Sequence, residues 1–578
     1  MAMTDSLAPS PTAAHDLLAL AAKARVQLTS PGAPFELETV QHGGQAVRAY
    51  RNAFANLPGL IQAGRVHGAK EFMVYQQDRW TFDRFFAAVD ALAGRLQALH
   101  GLQAGERVAI AMRNRPEWAV AFAAVALVGA VPVPLNSFGL RDELLSNLHS
   151  VQPRWLICDQ ERHGRVAADL PALACQAIVV DAADTAGAAL DWSALIAPGA
   201  PALQAPALDA TDPALILFTS GATSQAKGVL SNQRAVCQAL FNIDYIGAIS
   251  AITSPAALAR IMARGLQPTT LSAVPLFHVS GLHAQLLIAL RHGRRLILMH
   301  RWDPVAALAL IQAEQVTQFN GAPTMVQQLL RHSEFDDPAI TGTLGGLGFG
   351  GGGLSQRLID DVLTRRADSL SGIGFGLTET NGVGAAASGT LFQLRPTSAG
   401  PTSPIVEVRI VDAQGSDVAA GEAGEIWLRG VTVMDAYWGQ PEASAQALQE
   451  AWFRSGDVGL VDADGFLRVV DRIKDVINRS GEKIAAAEVE SCLLQHPHII
   501  EAAVFSQADE VTGEAVVAAV VLAPGVALDG AAVQAFVAGR LAAYKVPVRV
   551  YVRQDALPRN PTGKLLKSIL KREFLQPD

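Results

Sequence analysis

The chain has 578 residues, enough at about 150 residues per domain for several buried cores. Apolar residues make up 50% and charged ones only 17%, which excludes a disordered chain and a nucleic-acid-binding tail. The net charge of −8 exerts no long-range pull on polyanions, so any phosphate site has to be local.

At the N-terminus Asp5 precedes every basic residue and no charged region leads into an apolar core, which argues against a secretory signal. The cysteines Cys158, Cys175, Cys237 and Cys492 are scattered without a CxxC spacing. Neither a disulfide framework nor a zinc site is expected, and a reducing cytoplasm fits. From Arg107 onward short β-branched runs alternate with longer amphipathic ones: RVAIAM, EWAVAFAAVALVG, VPVPL, RWLIC, AIVVD and LILFT. Such alternation predicts βαβ units and a parallel sheet covered by helices on both faces. The apolar run within residues 119–135 is only ten residues long, short of the ~20 that cross a bilayer, so no transmembrane segment is expected.

The strand ending at Thr219 runs into TSGATSQAKG, residues 219–228. Hydroxyls, glycines and Lys227 there offer backbone N–H groups, side-chain donors and one cation to phosphate oxygens, although the Walker pattern is absent from the chain. Beyond it TLSAV, RLILM and VTQF read as strands, and the segments near 281–290, 304–314 and 323–331 as helices. Gly348–Gly353 formally fits GxGxxG, but the preceding TGTLGGL is a poor strand, so a dinucleotide site is set aside in favour of close backbone approach to a flat ligand. Residues 395–470 turn to short strands (VEVRIV, GEIWLRG, GFLRVV) between Gly and Asp turns, as in a small antiparallel barrel. After Asp471 a helix, two strands and two further helices, the last one basic, predict a separate α+β domain.

Five further motifs occur in order: GFGLTE (374–379), WFRSGD (452–457), DRIK (471–474), GEK (481–483) and LPRNPTGK (557–564). With the loop at 219–228, this ordered set resembles the adenylate-forming superfamily, specifically the AMP-forming acyl-CoA synthetases, over roughly residues 45–575. The resemblance implies an N-terminal extension (1–44) and a large domain (45–473) of two doubly wound α/β subdomains plus a distorted β-barrel. A small mobile α+β domain (474–578) would follow, with Lys474 as the hinge. It also implies two half-reactions. Carboxylate and ATP give acyl-adenylate and pyrophosphate; a thiol then displaces AMP.

Carried over residue by residue, the resemblance assigns Thr219, Ser220, Gly221, Thr223 and Lys227 to the ATP phosphates. Gly351, Gly352, Phe375 and Gly376 would line the adenine, with Phe375 at a usual Tyr position. Thr378 would reach the α-phosphate, Asp457 and Arg472 the ribose, and Glu379 would hold Mg²⁺. Lys564 would point at the carboxylate and α-phosphate. His278, Gly281 and Gly376 would border the acyl pocket, and Gly481, Glu482 and Lys483 the CoA path. Ala222, Ser224, Ala226 and Asp471 depart from usual Thr/Ser, Gly, Pro and Gly. His278, where amino-acid-activating relatives carry Asp, argues against an α-amino acid, and Gly376, where acetate-specific relatives carry Trp, is expected to leave the pocket open to a medium- or long-chain fatty acid or an aryl acid. An acyl-AMP ligase loading an acyl carrier protein shares every ATP residue, and a degenerate nucleotide-binding member stays open as the third reading.

Overall fold

The computed structural model describes residues 10–181, 190–219, 226–561 and 563–575. The β-branched runs of the first half form a five-stranded parallel sheet: Val131–Pro134, Arg107–Ala111, Trp155–Asp159, Gln176–Val180 and Leu190–Asp191, in that order. Its strands are apolar on both faces because both faces are covered. One cover is the helix Pro116–Val128, thirteen residues buried almost throughout; it is one of the three described apolar helices. The helix Gln233–Thr253 alone among the described helices is long and apolar enough to cross a bilayer by length and composition, and 56% of its apolar window is buried inside the fold.

A second sheet has eight strands. Its centre is parallel (Gly346–Phe349, Gln318–Gly321, Thr269–Ser272, Arg295–Leu298), and antiparallel strands close its edges. The Gly-rich segment read as a poor strand is therefore a central one. Gly346 pairs with Gln318 and Gly348 with Gly372, and cross-strand packing overrides the low propensity of glycine. The predicted antiparallel unit is a six-stranded sheet that includes Val406–Val411, Gly424–Gly430, Trp452–Val461 and Phe466–Arg472. A five-stranded sheet beyond Ile477 carries the hairpin Ile499–Asp509 and Gly513–Leu522, with its own apolar core. Of the two further helices expected there, the first spans Gly530–Ala538, and Gly539 caps it. Between the last two sheets only the turn Ile473–Asp475 intervenes.

Candidate active site

A cleft of about 2160 Å³ opens between the large domain and the C-terminal sheet, and its walls include Gly351, Gly352, Phe375, Asp457, Arg472 and Lys564. Asp457 and Arg472 face each other across adjacent antiparallel strands, and Arg472 Nε stands 3.1 Å from Asp457 Oδ1. A local irregularity aims the acid. Gly456 takes φ +68°, Ser455 Oγ donates to the Ile426 carbonyl at 2.6 Å, and the Asp457 N–H donates back to Ser455 Oγ at 3.1 Å. Burial raises the Asp457 pKa, against the pull of Arg472 and Lys564.

Lys564 arrives from the other side of the cleft on a tight turn. The Asn560 N–H donates to the Lys564 carbonyl at 2.9 Å, the Lys564 N–H donates to Asn560 Oδ1 at 2.9 Å, and Gly563 takes φ +84°. The turn lies against the large domain: a Cβ added to Gly563 would stand 2.8 Å from Ala322 Cβ. Burial, with Arg472 nearby, pushes the Lys564 ammonium down to about 8 although Asp457 opposes the shift.

Ser220, Gly221 and Thr223, with Ala222 and Ser224, lie outside the described residues. At the loop's ends the Lys227 N–H donates to Thr219 Oγ1 at 3.2 Å, and Ala226 packs against the apolar cluster of the first sheet. Lys227 Nζ lies 4.6 Å from the centroid of the Tyr437 ring, and Tyr437 Oη donates to Glu379 Oε1 at 2.9 Å. Tyr437 thus stands between Lys227, the candidate phosphate ligand, and Glu379, the candidate metal carboxylate, a position that no sequence motif announced. Thr378 and Glu379 sit on a short turn, Thr378–Thr380, directly after the strand Gly372–Leu377. Among the described residues no cluster of three metal-ligating side chains occurs.

Gly376 lies in the cleft wall, and a Cβ there would stand 1.8 Å from the Gly382 carbonyl oxygen, so close approach of the partner strand requires glycine at this position. Gly376→Ala is expected to lower the melting temperature by several degrees, roughly what 1–3 kcal/mol of overpacking produces, with no shift in chain-length preference. Thermal melts beside an acid panel check this. Gly281 is likewise a packing glycine: its Cβ would stand 2.2 Å from the Pro275 carbonyl oxygen. His278 precedes the turn Val279–Gly281, its ring centroid is 4.4 Å from that of Phe277, and burial pushes its pKa down to about 4, leaving it neutral near pH 7.

Gly481, Glu482 and Lys483 stay exposed around a hairpin turn, away from the cleft walls. Asp471, read as a departure, has a contact of its own. Its Oδ2 accepts from the Ala487 N–H at 3.1 Å, in the first turn of the C-terminal helix Ala486–Leu493. The carboxylate thereby ties the end of the barrel sheet to the C-terminal sheet's own helix.

Residues 61–438 match the family model for AMP-binding enzyme, and residues 488–564 match AMP-binding enzyme C-terminal domain. The chain belongs to the AMP-binding enzyme family. It is 34% identical over 503 residues to a feruloyl-CoA synthase of Amycolatopsis sp, covering 86% of this chain and 94% of that protein. An indoleacetate–CoA ligase of Aromatoleum aromaticum is 33% identical, covering 84% and 91%. Among solved structures, o-succinylbenzoate CoA synthetase from Bacillus subtilis with its acyl-adenylate intermediate superposes with a TM-score of 0.72 at 28% identity, covering 90% of this chain and 98% of that one. The fold is that of the adenylate-forming superfamily, and the chain is an acid–thiol ligase of the AMP-forming class.

Proposed function

We propose that the chain activates a medium- or long-chain fatty acid or an aryl acid and passes it to CoA. The observation that carries this reading is the convergence of Lys564 on Asp457 and Arg472 inside the cleft bordered by Phe375 and Gly351–Gly352. Asp457 accepts the ribose hydroxyls, the ring of Phe375 meets the base, and Lys564 stabilises the charge that grows as a carboxylate oxygen attacks the α-phosphorus and pyrophosphate leaves. Glu379 with the triphosphate suits Mg²⁺, which takes one or two carboxylates plus phosphate oxygens and offsets charge on the leaving pyrophosphate. The names of the relatives, feruloyl-CoA synthase and indoleacetate–CoA ligase, favour the aryl side of this substrate range. In the second half-reaction the thiol sulfur attacks the acyl carbonyl and AMP departs. Rotation about Lys474 would withdraw Lys564 and bring Gly481–Lys483 to the CoA path.

A screen of carboxylic acids with ATP, Mg²⁺ and either CoA or an acyl carrier protein tests the reading. AMP and acyl-CoA formation with CoA is the expected result; AMP formation only with the carrier protein, or none with any acid, overturns it. The pH profile is a further prediction. The free enzyme loses the Lys564 ammonium as pH rises through about 8, so kcat/KM for adenylation should fall above about pH 8. Stability runs the other way. Between about 8 and the ordinary 10.5 the unfolded chain holds a proton that the folded one lacks, so this group adds stability as pH rises across that window. Pyrophosphate release measured from pH 6 to 10, beside thermal melts, reads both.

A further inference from the structure

The segment that follows the strand Gly424–Gly430 ties the exit of the phosphate loop to the turn that carries Glu379. Its two-residue strand Ala436–Tyr437 pairs antiparallel with Gly228–Asn232, the strand that leaves the loop. The Asp435 N–H donates to the Leu230 carbonyl at 2.9 Å, and the Trp438 N–H donates to the Gly228 carbonyl at 2.7 Å. The same segment holds the turn Thr378–Thr380 by its backbone. The Met434 N–H donates to the Glu379 carbonyl at 2.8 Å, while Asn381 Nδ2, just past the turn, donates to the Thr432 carbonyl at 3.0 Å and to Ser231 Oγ at 2.9 Å.

Tyr437 is fixed in this frame, 6% exposed, with its N–H donating to Ser444 Oγ at 2.9 Å. The two parts of its side chain meet opposite charges. Its hydroxyl donates to Glu379 Oε1, a charge-assisted bond, and its ring stands within cation–π range of the Lys227 ammonium. Among the described residues the Glu379 side chain makes no other hydrogen bond, and neither Glu379 nor Lys227 forms an ion pair. An anion and a cation in one half-buried place are thus held on a neutral side chain instead of on each other. Direct pairing would occupy the carboxylate that suits a metal ion and the ammonium that suits phosphate oxygens, and nucleotide binding would first have to break that pair.

We propose that Tyr437 is a positioning residue for adenylation: its hydroxyl orients the Glu379 carboxylate toward Mg²⁺, and its ring keeps Lys227 off that carboxylate until the triphosphate arrives. The inference rests on the ligase reading above and on the roles given there to Glu379 and Lys227. Hydrogen bonds to a metal-ligating carboxylate fix its direction, and losing such a partner typically costs about 10- to 100-fold in metal affinity or activity.

Isothermal titration of the full chain with ATP, once in EDTA and once with saturating Mg²⁺, tests this in the wild type, Tyr437→Phe and Tyr437→Leu, beside thermal melts. Tyr437→Phe keeps the ring and loses only the hydroxyl. It should bind metal-free ATP as the wild type does, while the gain in ATP affinity brought by Mg²⁺ falls about tenfold or more. The Mg²⁺ concentration for half-maximal pyrophosphate release should rise in parallel, with the KM for acid and for CoA unchanged. Tyr437→Leu should in addition weaken metal-free ATP binding, because Lys227 then pairs with Glu379; adding Glu379→Gln to that variant should restore it. If Tyr437→Leu does not fold, Tyr437→Met takes its place in both comparisons. A magnesium gain in Tyr437→Phe equal to that of the wild type overturns the hydroxyl's role, and unchanged metal-free ATP affinity in Tyr437→Leu overturns the ring's. Equal losses with and without Mg²⁺ in Tyr437→Phe overturn the inference too, because they mark a structural role. A wild type that releases no pyrophosphate with any acid overturns the ligase reading, whereas the titrations need no turnover and judge Tyr437 separately.

Discussion

Lys564→Ala is expected to lose acyl-adenylate formation by a factor on the order of 10² or more, the usual loss when a preorganised electrostatic stabiliser is removed. The ammonium stands beside Asp457 and Arg472, in a cleft where burial has already lowered its pKa, so its charge acts in a weakly screened setting. The same variant should still convert supplied acyl-adenylate and CoA to thioester at close to the normal rate, because in the proposed two-pose account that half-reaction would use a pose in which Lys564 has left the cleft. Lys474→Pro, in the turn Ile473–Asp475, should do the reverse by fixing the pose seen here. Single-turnover pyrophosphate release and thioester formation, measured separately, decide the matter. Equal slowing of both steps by Lys564→Ala would refute the two-pose account.

The contact between Asp471 and the first turn of Ala486–Leu493 bears on that account, because it exists only while the C-terminal sheet sits as it does here. Sequence reading saw Asp471 only as a missing glycine; what the carboxylate touches lies sixteen residues on, in the helix Ala486–Leu493. The strands of the parallel sheet were legible because burial on both faces forces continuous β-branched runs such as RVAIA and AIVVD. Gly346–Phe349 was not, since a glycine strand has no apolar periodicity and exists through its neighbours. The ordered motifs single out Asp457, Arg472 and Lys564, and these line one cleft although more than ninety residues separate the last from the other two. At Gly376 a sequence shows that a side chain is missing without showing what lies in its direction, here the Gly382 carbonyl. Tyr437 falls between motifs, and only packing reveals that it touches Glu379 and Lys227, far from it along the chain.

Asp457→Ala should raise the KM for ATP at least tenfold while the protein still folds. A carboxylate accepting ribose hydroxyls makes charge-assisted hydrogen bonds of about 1.5–3 kcal/mol each, and about 1.4 kcal/mol is a factor of ten. The variant carries a second signature that ordinary weakening would lack. Asp457 is the first of the charges that support the Lys564 ammonium against burial and against Arg472, so its removal leaves two cations facing each other in the cleft. The Lys564 pKa should then fall further below about 8, and the alkaline limb of the adenylation profile should move to lower pH. Asp457→Asn keeps the size and one acceptor oxygen but not the charge; it should recover part of the ATP affinity and retain the shifted limb. Isothermal titration with ATP, run beside pH–rate profiles of both variants, separates the two effects. An unchanged ATP affinity in folded Asp457→Ala would refute the ribose assignment, and an unmoved alkaline limb would refute the electrostatic link between Asp457 and Lys564.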